Sequence, residues 1–157
     1  KGGDFVKVVI ASDHGGFRLK QEIMKQLESK SIEYEDYGAY SEESVDYPDY
    51  GHKVGEAVAS GKFDRGIVIC GTGIGISIAA NKVPGVRAAL CGDCFSAKAS
   101  REHNNANVLA LGERVIGVEL AKMIVDIWLE TEFAGGRHER RVNKISDIEE
   151  KYRQMGK

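Results

Sequence analysis

At 157 residues the chain is long enough for one domain with a sizeable core. Its 42% apolar and 29% charged residues are ordinary for a globular protein, and the formal net charge of −2 gives no reason to expect nucleic acid or an acidic membrane surface. No apolar run approaches the roughly 20 residues that span a bilayer, and the chain carries no signal-peptide pattern at its start.

Three cysteines, an odd number, argue against a disulfide framework and for a reducing, cytoplasmic setting. Cys91 and Cys94 have CxxC spacing, but no second pair completes a zinc site, so both read as structural and no metal is expected.

Residues 1–5 read as an N-terminal tail and 6–157 as a single domain. Val6 to Ser12 is a continuous apolar strand, followed by the loop Asp13-His14-Gly15-Gly16. Phe17 to Ser29 is a helix with Leu19, Ile23, Met24 and Leu27 at helical spacing. Ile32 to Tyr37 alternates apolar and acidic residues, as an edge strand does. A polar loop over 38–48 leads to a helix from Tyr50 to Ser60, ended by Gly61. The run Gly66 to Cys70 is a third strand. It meets Gly71-Thr72-Gly73-Ile74-Gly75, after which Ile76 to Lys82 is helical. Val86 to Cys91 is a fourth strand, Phe95 to Glu102 a helix, and Val108 to Leu111 a fifth strand. Val118 to Leu129 is the strongest amphipathic helix, and Arg137 to Met155 is a last, mostly polar one.

Strands alternating with helices five times imply a doubly wound, Rossmann-like α/β fold with a five-stranded parallel sheet. Right-handed crossovers prune the topology to a few doubly wound orders, of which 2-1-3-4-5 is the one expected. In that order Asp13-His14 and Cys70-Gly71-Thr72 face each other at the switch point, where such sheets bind ligands. The final helix has no following strand and only a thin apolar stripe of Val142, Ile145, Ile148 and Tyr152. It is expected to pack on a partner subunit.

The glycine loop fails the GxGxxG fingerprint in both registers, because Ile76 and Ile78 stand where the last glycine belongs. A Walker A loop would need Gly-Lys-Ser/Thr, which is absent. Asp93, about 20 residues on, keeps a weak dinucleotide reading alive. Three glycines within five positions at a strand-to-helix junction favour an anion site, built from amides at the positive end of a helix, over a plain tight turn. Cys70 reads equally as a buried apolar cysteine or as a thiolate held by those amides, able to act as nucleophile or base. His14 and His103 lie in separate polar loops and could move protons near neutral pH. Arg137 and Arg141, at i and i+4, suit a phosphate or carboxylate, and Arg114 could add a third fork. The bland alternative is a solvated face paired with Glu139, Glu149 or Glu150.

Taken together, SDHGGFRLK (12–20), VDYPDYG (45–51), ICGTGIGISIAANKVPGVRAAL (69–90), SREHNNANVLALGERVIG (100–117) and GGRHERRV (135–142) resemble the ribose-5-phosphate isomerase B family, which also includes the galactose-6-phosphate isomerase subunits. The resemblance implies a metal-free, cofactor-free aldose–ketose isomerase of the pentose phosphate pathway that interconverts ribose 5-phosphate and ribulose 5-phosphate. It implies Cys70 as the base, since Ile74, Gly75 and Ile76 offer no carboxylate in its place. Gly71, Gly73 and Gly75 match the enediolate pocket, and Thr72 a proton relay. His103, with Asp13, matches the ring-opening groups. His14, Arg137, Arg141 and Arg114 match phosphate ligands, and Tyr47 and Asn104 line the pocket. It also implies a homodimer, or a dimer of dimers, with the site at the interface and no membrane or nucleic-acid partner. Allose or galactose 6-phosphate remains an alternative substrate, and a non-catalytic nucleotide-binding module an alternative role.

Overall fold

The computed structural model describes residues 6–157, so the tail expected over 1–5 lies outside the described residues. Five strands, β1 (Val8–Ser12), β2 (Tyr34–Asp36), β3 (Arg65–Cys70), β4 (Ala88–Leu90) and β5 (Val108–Gly112), form one sheet in the order β2-β1-β3-β5-β4. Every pairing is parallel. Six helices connect and flank them: α1 (Phe17–Ser29), α2 (Tyr47–Ala59), α3 (Ile74–Asn81), α4 (Cys94–Glu102), α5 (Val118–Glu130) and α6 (Arg137–Met155). A single 3-10 turn, His14–Gly16, joins β1 to α1.

The doubly wound fold is as expected, but the last two strands exchange places relative to the expected order 2-1-3-4-5. Burial explains the exchange. Val108, Leu109, Ala110 and Leu111 of β5 are all fully buried, which demands neighbours on both sides. Strand β4, only Ala88-Ala89-Leu90 and partly exposed, can stand at the edge. Handedness then fixes the helices. The steps from β1 to β2 and from β4 to β5 run the same way across the sheet, so right-handed crossovers put α1 and α4 on one face. The core records this. Leu19, Ile23 and Leu27 of α1 share a cluster with Ala97 of α4 and with Ala121, Ile124, Val125 and Trp128 of α5. Val54, Ala57 and Val58 of α2 pack with Ile76 and Ala80 of α3 on the opposite face. Strand residues alternate between the two clusters, as a period of two requires, and Cys70 falls on the α2–α3 side.

Element boundaries move where local chemistry permits. Helix α2 begins at Tyr47 rather than Tyr50, because Pro48 sits in its first turn, where a missing N–H costs nothing. Helix α3 begins at Ile74, directly on the glycine loop. Helix α1 buries Lys20 completely, and its ammonium donates to Asp36 Oδ1 at 2.7 Å and to the Ala39 carbonyl at 2.6 Å. Burial lowers the Lys20 pKa against the opposing pull of Asp36. This buried pair tethers the chain after β2 to α1.

Gly16 packs the start of α1 on β3 so closely that a Cβ there would lie 2.5 Å from the Ile69 carbonyl oxygen. A backbone neighbour cannot swing aside. Gly16→Ala is therefore expected to lower stability by about 1–3 kcal/mol, measured as a fall in urea midpoint with unchanged slope.

Candidate active site

All five strands point one way, so the loops after them share the carboxyl end of the sheet. The Cys70 register partner there is Gly112, while Gly66 pairs with Val108 at the other end. Two groups of candidate residues result.

The first group gathers at the carboxyl end. Cys70 is buried, and the Gly73 amide donates to its Sγ at 3.2 Å. A donor aimed at sulfur stabilises negative charge there. Gly73 reaches this position at φ +79°, in the left-handed region that favours glycine, and a Cβ would meet Leu90 Cδ1 at 2.5 Å. The Ile74 amide donates to Thr72 Oγ1 at 3.1 Å, leaving the Thr72 O–H itself available to donate. Asp13 Oδ1 accepts from the amides of Gly15, at 2.9 Å, and Gly16, at 3.2 Å. A Cβ on Gly15 would lie 3.3 Å from both Asp13 Oδ1 and the Gly71 nitrogen, so the two loops touch.

His14 Nδ1 accepts from the Val45 amide at 3.1 Å. That bond occupies Nδ1 and leaves Nε2 as the outer nitrogen. The same loop delivers Tyr47, whose ring covers Gly75; a Cβ there would lie 2.5 Å from its Cε1. After β5, Glu113 N donates to the Cys70 carbonyl at 3.0 Å and Arg114 N to the Gly71 carbonyl at 2.9 Å. The Arg114 side chain lies over Gly71, 3.4 Å from where a Cβ would be. Asp13, His14, Tyr47, Cys70, Gly71, Thr72, Gly73, Gly75 and Arg114 therefore converge.

The second group lies at the amino end. Helix α4 runs back from β4 and ends at Glu102, so His103 and Asn104 sit in the loop before β5. Helix α5 runs back likewise, and Ala134 N donates to the Glu102 carbonyl at 3.1 Å. This brings the first turn of α6 against that loop. His103 and His138 stack with ring centroids 4.3 Å apart and planes 14° apart. Arg137 and Arg141 flank the stack, both exposed. His138 was absent from the residues singled out by sequence, although it lies between two that were. Its pairing with His103 spans 35 positions and leaves no periodic signal.

Within one chain the two groups do not meet. Four residue steps of β5, about 13 Å, separate the ends of the sheet. Elsewhere, burial pushes the Cys91 thiol up to about 11, keeping it protonated, and Cys94 opens α4. Among the described residues no group of three or more His, Cys, Asp or Glu is placed to hold a metal ion.

A family model described as Ribose/Galactose Isomerase matches residues 8–145. The chain belongs to this family. It is 53% identical over 145 residues to ribose-5-phosphate isomerase B of Escherichia coli (strain K12), covering 92% of this chain and 97% of that one. Among solved structures, it is similar to ribose-5-phosphate isomerase B of Clostridium thermocellum at 63% identity and TM-score 0.92, covering 93% of this chain and 99% of that one. Ribose-5-phosphate isomerase B of Mycoplasma genitalium, solved with bound ribulose 5-phosphate, superposes with TM-score 0.88 at 43% identity, covering 92% of this chain and 96% of that one. Membership of the Ribose/Galactose Isomerase family makes a sugar phosphate the class of ligand against which both groups are to be read.

The stack makes a titration prediction. Lost hydration, and then the charges of His103, Arg137 and Arg141, lower the His138 pKa below its usual 6.5, against a weaker pull from Glu102. Because the unfolded chain then binds the extra proton more readily, this contribution to stability is lost as pH falls below 6.5. In a proton NMR titration His138 should show a midpoint below 6.5 that rises in His103→Gln; an unmoved midpoint would contradict the coupling.

Proposed function

We propose that this protein interconverts ribose 5-phosphate and ribulose 5-phosphate through an enediolate, with Cys70 as general base, in the cytoplasmic pentose phosphate pathway. The observation that carries the reading is the Gly73 amide donating to Cys70 Sγ, beside a hydroxyl and a helix amino end on the same short loop.

The chemistry runs in two stages. Ribose 5-phosphate is mostly a closed furanose. Ring opening moves a proton from the O1 hydroxyl to a base, breaks the C1–O4 bond and protonates O4. His103 is suited to that exchange, with Asp13 assisting at the ring oxygens. His138 stacks on the His103 imidazole and so holds the plane of that ring. In the second stage the Cys70 thiolate takes the C2 proton and returns it to C1 on the same face of the enediolate. Thr72 carries the accompanying proton between O1 and O2.

The loop amides divide this labour. Gly73 serves the sulfur and Ile74 serves Thr72, which leaves the amides flanking Gly71 and Gly75 to meet the developing oxyanion. Arg137, Arg141, Arg114 and His14 hold the phosphate, and that remote binding fixes the reacting carbons. Tyr47 and Asn104 line the pocket.

This scheme needs both groups of residues around one substrate. A second copy of the chain supplies what one copy separates: the carboxyl end of one sheet meets the amino end of its partner. Helix α6 supports such a pairing, because Ile145, Ile148, Tyr152 and Met155 remain uncovered along it while Val142 alone is buried.

The experiment is turnover of ribose 5-phosphate by chelator-treated protein, wild type against Cys70→Ala. Activity should persist without added metal and fall about a thousandfold or more in the variant. A fully active Cys70→Ala protein would overturn the base assignment, and dependence on added metal would overturn the mechanism.

A further inference from the structure

Three arginines crowd the amino end of the sheet beside the His103 loop. Arg65 opens β3, Arg87 directly precedes β4, and Arg101 lies in the last turn of α4. Arg101 is only 5% exposed. Burial, Arg65 and Arg87 together bring its pKa down to about 10, and Glu132 opposes them, so it remains a cation at neutral pH. A cation in such company persists only where specific acceptors surround it.

Those acceptors belong to the segments that carry the histidine stack. Arg101 Nη1 donates to Asn105 Oδ1 at 2.9 Å and to the Ala106 carbonyl at 2.7 Å. Its Nε donates to the Thr131 carbonyl at 3.1 Å, in the segment leading to His138. Arg87 Nε grips the same Asn105 from another side, donating to its carbonyl at 3.0 Å. Asn105 itself sits at φ +48°, a left-handed conformation that asparagine adopts more readily than most residues. The chain thus turns sharply two residues after His103, and two guanidinium groups hold the turn.

We propose that Arg101, with Arg87, clamps Asn105 and thereby aims His103 and Asn104 at the substrate, making Arg101 a positioning residue for ring opening. The inference rests on the isomerase reading above. The clamp needs a guanidinium because its three acceptors lie in different directions. A lysine offers one compact charge and cannot span them.

The test separates the two stages of the reaction. Ribulose 5-phosphate cannot close to a furanose, since its C5 oxygen carries the phosphate. Exchange of its C1 proton with solvent deuterium therefore needs no ring opening, whereas turnover of ribose 5-phosphate needs ring opening and proton transfer both. Asn105→Gly keeps the left-handed backbone but removes the side-chain acceptor, and Asn105→Asp keeps the acceptor. In Asn105→Gly and Arg101→Lys, kcat for ribose 5-phosphate should fall about 10- to 100-fold while C1 exchange stays within about threefold of wild type. Asn105→Asp should stay within about threefold on both measures. Asn105→Gly turnover at the wild-type level, or turnover and exchange falling in equal proportion, would overturn the clamp.

Imidazole Hε1 signals give a readout that does not depend on activity. The clamp predicts that Asn105→Gly shifts the ring-current-displaced signals of His103 and His138; unmoved signals would overturn it. Wild-type protein that shows no turnover, combined with shifted signals in Asn105→Gly, would instead defeat the isomerase reading and leave the clamp standing.

Discussion

A parallel sheet has two unlike ends, and this constraint governs everything the protein can do with its side chains. Each strand delivers its following loop to the carboxyl end, and each helix returns the chain to the amino end. Cys70, Thr72, Asp13, His14 and Arg114 follow strands and so assemble together. His103 follows α4, and Arg137, His138 and Arg141, in the first turns of α6, assemble with it at the other end. No side-chain rotation joins the two sets across the length of β5. A site that uses both must be made by two chains, and α6 carries an exposed apolar stripe of Ile145, Ile148, Tyr152 and Met155.

The carboxyl-end group is pre-organised by backbone contacts more than by side chains. Cys70, Thr72 and Asp13 each accept from a main-chain amide two or three residues on, and His14 accepts from the Val45 amide of the segment between β2 and α2. Such donors cost little entropy to hold and cannot titrate away. The amino-end group is built differently. Its histidines stack on each other, and the buried Arg101 pins the segments that carry them. In the proposed reaction the first end serves stabilisation of a fixed developing charge, the second proton exchange at ring oxygens.

Much of this was legible in the residues alone. Apolar runs disclosed four of the strands and an apolar–acidic alternation the edge strand β2, and the apolar spacing of Leu19, Ile23 and Leu27 disclosed a core-facing helix. Strand order was not legible, because Val86 to Cys91 and Val108 to Leu111 look equally apolar in sequence. Only the burial of both faces of β5 tells the centre from the edge. The spacing of the glycine loop reads as a candidate anion site, but that the Gly73 amide serves the sulfur is set by a left-handed residue that spacing cannot reveal. His138 and the Arg101 clamp stayed hidden for the same reason: both depend on contacts between segments far apart in the chain. The resemblance to known isomerases implies a ring-opening role for His103, where the residues alone offer only a histidine in a polar loop.

The central claim is that one reaction site draws on both ends of the sheet, and therefore on two chains. Co-refolding equal amounts of Cys70→Ala and His103→Ala proteins tests it directly. Random pairing makes half of the dimers hybrid, each with one intact site, so the mixture should recover about a quarter of wild-type activity on ribose 5-phosphate. A mixture no more active than its two inactive components, with hybrid dimers demonstrated by differently tagged chains, would contradict the account.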